Sequence, residues 1–343
     1  MEKEVKSTSV DYLERHRQRK EFEEQQAKKI DDFLLSHSPK VIANKLKKHI
    51  VGQDELIKAV AEFYYYQVLR FKYPLPSRPM MIFGPSGSGK TEVWRIISKL
   101  FPDILRICIV DASRITSDGW RGDLKVASFM KPYMSHGILV FDECDKLFSP
   151  RFDAHDTNIS AEIQGEFLKI IEEETYIIPG KTLETQMSVE RVGVVFVGAF
   201  ENIRMMKETP QSTPIGFNSQ TEKISHRTIS REDFIEYGII PELLGRISKI
   251  CKTKSLSTEQ YLEIVRNENS RIGIIANFLA EHGIDAWEGI DDAYILELIK
   301  KSNTNVMGVR AVISKIENIM VSKLFEHGIY PSKIPDNTPE HTP

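Results

Sequence analysis

Apolar, β-rich residues gather in short runs at Met80–Phe83, Leu105–Asp111, Ile138–Asp142 and Val192–Ala199, with helix-length segments between them. Runs of that kind read as strands buried on both faces, and their alternation with helices predicts a parallel sheet covered on two sides. The longest candidate for a membrane span, Val192–Phe200, is strand-sized, far short of the roughly 18 residues a bilayer needs. Residues 1–40 are polar and charged; within Asp11–Asp32, Tyr12, Leu13, Phe22 and Ile30 form no continuous stripe. That texture fits a solvated helix or a disordered arm, with a partner-binding or coiled-coil arm as the alternative. Arg204–Ser230 is rich in Ser, Thr, Pro, Asn and Gln and lacks periodicity, as functional or mobile loops do. Past Lys252 the pattern turns helical: Ser257-Thr258-Glu259-Gln260 reads as a capping box, and Val306–Phe325 as a longer amphipathic helix. The predicted organisation is a charged extension over 1–37, a large α/β domain over 38–252, a small helical domain over 253–330 and a polar tail over 331–343.

Composition narrows the class without naming it. The 343 residues include 46 Lys+Arg against 49 Asp+Glu, a net charge of −3, which disfavours a chain built to coat nucleic acid. The opening MEKEVKSTSV has no apolar core of a secretory signal, so a cytoplasmic location is expected. Cys108, Cys144 and Cys251 are scattered with no CxxC pair, which fits neither a zinc ribbon nor a disulfide framework.

The chemistry concentrates at two places. Gly84-Pro85-Ser86-Gly87-Ser88-Gly89-Lys90-Thr91 follows the run Pro79–Phe83 and fits the phosphate-binding pattern G-x4-G-K-[ST]. Its glycines let backbone N–H groups turn inward around phosphate oxygens, and the helix that opens at Glu92 adds its positive end. Lys90 is placed to reach the β- and γ-phosphates, and the Thr91 hydroxyl to ligate Mg²⁺. The strand Ile138–Phe141 ends in Asp142 and Glu143. Behind a phosphate loop, the first of these carboxylates suits Mg²⁺ and the second suits a general base for the attacking water. An ATPase using Mg²⁺ is the expectation.

With those motifs fixed, the chain from about Ser38 to Phe325 resembles the AAA+ ATPases, and within them the ClpX-type unfoldases of the Clp proteases. The resemblance implies that Ile50 and Val51, in Ile50-Val51-Gly52-Gln53, line an adenine pocket. Gly119-Trp120-Arg121-Gly122 is similar to the family's axial pore loop, where an aromatic grips a translocating polypeptide; a turn with a packed indole is the alternative. Here Trp120 stands for the family's Tyr and Arg121 for its Val, and a positive loop tip favours acidic stretches. Glu242-Leu243-Leu244-Gly245-Arg246 resembles the segment carrying the arginine finger that acts on a neighbour's nucleotide, which implies a ring, typically a hexamer. The bland alternative pairs Arg246 with a surface carboxylate or its own helix end. Ile215-Gly216-Phe217 matches the tripeptide with which such rings dock on a ClpP-like peptidase; Phe217 folded back on its own domain is the other reading.

Three departures from that pattern stand out. The family's zinc-binding N-terminal domain is replaced by the charged extension, and Glu174–Arg191 lacks the basic tripeptide of its second entry loop. Asn305-Val306-Met307-Gly308-Val309-Arg310 puts Met307 where the resemblance expects the sensor-2 arginine, with Arg310 one turn later on nearly the same face. The expected activity is ATP-driven unfolding and threading of protein substrates. A protease-independent remodelling chaperone and a weakly hydrolysing nucleotide-switched scaffold are the alternatives.

Overall fold

The computed structural model describes residues 24–115, 125–129, 137–172, 175–178, 185–203, 229–302 and 310–327. The chain divides into two compact units, Met1–Ser255 and Leu256–Pro343. The expected pore loop Gly119–Gly122, the docking tripeptide Ile215–Phe217 and Met307 lie outside the described residues.

The first unit is built on five parallel strands: β1 (Met80–Phe83), β2 (Ile107–Asp111), β3 (Ile138–Asp142), β6 (Gly193–Gly198) and β7 (Lys249–Lys252). They lie in the order β2-β3-β6-β1-β7, with Met80 opposite Val195 on one side and Lys249 on the other. Side chains alternate across this sheet and divide the core in two. Met81, Phe83, Leu139, Phe141, Val194 and Phe196 enter one cluster, with helices α5 (Cys144–Phe148), α6 (Ile159–Glu172), α7 (Arg231–Tyr237) and α8 (Pro241–Arg246). Met80, Ile82, Ile138, Val140, Val195 and Val197 enter the other, with a helix α1 over 24–36, α2 (Pro39–Lys47), α3 (Asp54–Lys72) and α4 (Glu92–Leu100). Sheet and two-sided cover are thus as the apolar runs imply. The edge strand β7 and the antiparallel hairpin β4 (Thr175–Ile178) and β5 (Thr185–Ser188) carried no such run. In β7 only Cys251 is buried, because an edge strand with charged ends borrows its register from β1.

Helix α1 departs from the solvated reading of the extension. Ile30 and Phe33 are buried, at 1% and 4% exposure, and Lys72 donates to Asp31 at 2.7 Å. The Phe33 ring stacks on His37 at 4.6 Å and meets Phe101 and Tyr64 edge-on at 5.1 and 5.9 Å. A stripe of two residues is too short to register as amphipathic, yet it fills a real socket. Phe33→Ala is expected to destabilise the first unit by about 3–5 kcal/mol in a urea melt. Undocking of α1 alone caps that loss if the helix peels away at a smaller cost. A change below about 0.5 kcal/mol would mean that the helix is not part of the core.

The second unit is helical: α9 (Thr258–Arg266), α10 (Arg271–Glu281), α11 (Asp292–Lys301) and α12 (Arg310–Glu326) around Val265, Ile272, Leu279, Ile295, Val312, Ile316 and Met320. The capping box at its entrance is formed, with the Ser257 hydroxyl accepting from Gln260 N and Gln260 Oε1 accepting from Ser257 N. No helix among the described residues is long and apolar enough to cross a membrane.

Candidate active site

Both chemical motifs sit at the carboxyl ends of neighbouring parts of the sheet. The phosphate-loop residues leave β1, the acidic pair ends β3, and β6 lies between. Because the chain runs from β1 through α4 to the far edge strand β2, a crevice opens above this point, the usual ligand position in an open α/β sheet. The loop needs its glycines for steric reasons. Gly84 has φ +144°, and a Cβ there would lie 2.2 Å from Thr253 Oγ1 and 2.7 Å from the Thr253 carbonyl oxygen. Gly87 and Gly89 take φ values of 73° and 87°, where an L side chain is strained.

Lys90 is buried and its ammonium donates to the carbonyls of Gly84 and Pro85, both at 2.8 Å, which holds the charge over the loop. The Thr91 hydroxyl donates to Asp142 Oδ2 at 2.8 Å, so a strand-end carboxylate and a helix-start hydroxyl share one spot. Two hard oxygens side by side suit Mg²⁺, which takes one or two protein oxygens and completes its shell with phosphate and water. No cluster of three or more His, Cys, Asp or Glu fit for a metal occurs among the described residues, so a fully protein-ligated centre is not built there. Ser88 is buried against Thr253, while Pro85, Ser86 and Glu92 lie partly or fully open to solvent. Ile50 and Val51 are buried, and the Ile50 side chain lies 3.8 Å from where a Cβ of Gly89 would be.

Glu143 follows Asp142 in a left-handed conformation, φ 57°, with its N–H donating to Asp142 Oδ1 at 3.0 Å. For a non-glycine residue that backbone costs on the order of 1 kcal/mol or more and persists only where the surroundings impose it. Its carboxylate accepts from Lys146 Nζ at 2.6 Å, and this bond holds the lysine ammonium above its ordinary range. Cys144, the next residue, is buried beside Asp145 and Asp142, which keeps its thiol protonated and out of any nucleophilic role.

Arg246 ends α8, and its placement is over-determined. Gln164 of α6 donates to the Gly238 carbonyl at 2.9 Å and accepts from Ile240 N at 2.8 Å, clamping the entry to α8. Arg231 donates to the carbonyls of Leu244 and Ile247 at 2.7 and 2.8 Å, clamping the exit. The Arg246 side chain itself is 58% exposed and donates from Nε to Glu172 Oε1 at the end of α6. The surface-carboxylate pairing anticipated for this arginine therefore exists. Arg310 opens α12 in the second unit and is exposed. Sequence reasoning did not single out Thr253, Glu172, Gln164 or Lys146. None belongs to a local motif, and only Lys146 could have been found, as the residue three positions after Glu143 on a helix.

A five-stranded parallel sheet with this loop and acidic strand end defines the class. The chain belongs to the AAA ATPases: residues 76–250, just over half of it, match the family described as AAA domain (Cdc48 subfamily). Within that class it is similar to the ClpX subunits of Clp proteases. It is 29% identical to "ATP-dependent Clp protease ATP-binding subunit ClpX 2" of Wolinella succinogenes, over 89% of this chain and 82% of that one. It is 24% identical to "ATP-dependent Clp protease ATP-binding subunit ClpX" of Treponema denticola, over 84% of this chain and 77% of the relative.

Proposed function

We propose that this AAA+ ATPase assembles into a ring, hydrolyses ATP between subunits and threads protein substrates through its axis, as the regulatory ATPase of a Clp-type protease. The support for shared sites is the position of Arg246. It is presented outward on a clamped helix and tethered through one nitrogen to Glu172, which leaves the terminal guanidinium nitrogens for a neighbour's γ-phosphate. In this reading the loop N–H groups and Lys90 bind the triphosphate, and Thr91 and Asp142 hold Mg²⁺, which neutralises the charge that develops on phosphoryl transfer. Glu143 takes the proton of the attacking water as its oxygen bonds to the γ-phosphorus and ADP leaves. Ile50 and Val51 border the base, and Arg310 serves the phosphates in place of the arginine displaced by Met307. Trp120, between Gly119 and Gly122, grips the substrate, and Ile215-Gly216-Phe217 seats on a ClpP-like peptidase.

Turnover per chain is expected to fall steeply when the protein is diluted below the concentration at which sedimentation shows assembly. In the ring, Trp120→Ala keeps ATP hydrolysis within about threefold but loses unfolding of a fluorescent substrate, as the loss of a grip rather than of chemistry requires. Turnover per chain that stays constant down to the monomer overturns the shared-site reading. Capture of a ClpP-type peptidase that survives Phe217→Ala removes the docking assignment.

A further inference from the structure

Two residues that no local motif marks stand near the end of the first unit: Thr253 against the phosphate loop and Lys254 against Gln53. Thr253 follows β7 and is fully buried. Its N–H donates to the Phe83 carbonyl at 2.8 Å, and its hydroxyl donates to the same oxygen at 3.3 Å. Thr253 Oγ1 also lies 2.7 Å from the Ser88 hydroxyl, itself 4% exposed, in a bond that either hydroxyl can donate. Gly84 lies flush on the same side chain, with no room even for a methyl group. The loop therefore rests on Thr253 at its first residue, Gly84, and again at its middle, Ser88.

The next residue is held just as closely by Gln53. Lys254 N donates to Gln53 Oε1 at 3.1 Å, and Gln53 Nε2 returns a bond to the Lys254 carbonyl at 2.8 Å. Gln53 is 4% exposed and follows Ile50, Val51 and Gly52 directly, so the segment expected to border the base is fixed to Lys254. The first unit ends at Ser255 and the cap of α9 is Ser257.

We propose that the dipeptide Thr253–Lys254 is a two-point reader of nucleotide occupancy: Thr253 senses the phosphate loop through Ser88, Lys254 senses the base-side segment through Gln53, and both pass their state into the junction at 255–257. The physical basis is packing. A buried hydroxyl pair at 2.7 Å and a glycine in hard contact transmit small displacements of the loop, because close-packed contacts do not absorb them. Thr253 and Lys254 are positioning residues, since neither is placed to touch phosphorus or water. The inference rests on nucleotide binding by residues 84–91.

Hydrogen exchange of the full-length chain tests it, with and without Mg²⁺ and a non-hydrolysable ATP analogue. In the wild type, nucleotide is expected to slow exchange of the amides at 254–258 by about tenfold or more, in the range of ordinary coupling between sites. Thr253→Val keeps the shape and removes the hydroxyl; it is expected to lose most of that protection while analogue affinity changes by less than about fivefold. Thr253→Ser restores the hydroxyl and the protection. If Thr253→Val fails to fold, Ser88→Ala removes the same bond from the loop side and must give the same loss. Full protection in a folded Thr253→Val chain that binds the analogue overturns the inference alone, as does its loss in Thr253→Ser. Failure of the wild type to bind the analogue overturns the nucleotide reading of residues 84–91, and the inference with it.

Discussion

Arg246→Ala is expected to lower ATP turnover of the assembled protein by about 10³–10⁵-fold while leaving nucleotide affinity and folding stability nearly unchanged. The expectation depends on the difference between what the side chain does within its own subunit and what it is proposed to do for a neighbour. Within the subunit it makes one ion pair with Glu172, and both partners are substantially exposed, at 58% and 40%. A pair that open to solvent is worth at most about 1 kcal/mol. Helix α8 does not depend on it, since Gln164 and Arg231 hold both ends. Loss of turnover without loss of stability therefore isolates the trans role. Lysine is not expected to rescue, because an ammonium cannot keep Glu172 on one nitrogen and offer a planar fork to phosphate. Phosphate release at matched oligomer size measures this; a loss below about tenfold would return Arg246 to an ordinary surface pair.

The second large effect is at Glu143. Glu143→Gln is expected to reduce turnover by about 10²–10⁴-fold through loss of the proton acceptor, with binding of ATP retained. The substitution keeps side-chain size, so the left-handed backbone at φ 57° and the N–H bond to Asp142 Oδ1 should persist. What it gives up structurally is the exposed pair with Lys146, a three-residue helical spacing worth about 0.2–0.5 kcal/mol. The variant should thus hold ATP without splitting it. Mixing the two dead chains supplies a sharper readout than either alone. A nucleotide held by an Arg246→Ala subunit has an intact Glu143, and a neighbouring Glu143→Gln subunit still offers Arg246. Random mixing in a closed ring restores roughly a quarter of the interfaces. No recovery in mixed rings of confirmed composition would show that both groups serve the same subunit's nucleotide.

How far the site was legible varies residue by residue. The cradle Gly84–Thr91 and the pair Asp142-Glu143 were readable because each is contiguous, and because phosphate binding dictates glycine, lysine and hydroxyl at fixed spacing. Giving both Thr91 and Asp142 to Mg²⁺ already implied that they meet, as they do at 2.8 Å; that β6 lies between their strands was not readable, since strand order leaves no local trace. Phe33 was overlooked for a different reason: burial of two residues in a thirteen-residue helix gives too weak a period to stand out from a charged background. Strand β7 was missed because its sequence, Lys249-Ile250-Cys251-Lys252, has charged ends and one buried residue, and its pairing with β1 comes from 169 residues away (249 − 80).

The sequence by itself determined the elements and the chemistry available to them. Runs of apolar residues fix buried strands, and the eight residues from Gly84 to Thr91 suit phosphate in whatever fold presents them, because both properties are local. Tertiary structure alone decided which residues support that chemistry. Thr253 under the loop, Glu172 on Arg246 and Gln53 on Lys254 are joined across 165, 74 and 201 positions of chain. Contacts of that separation leave no periodic trace in the sequence, and they exist only once a close-packed core has set the backbone segments side by side.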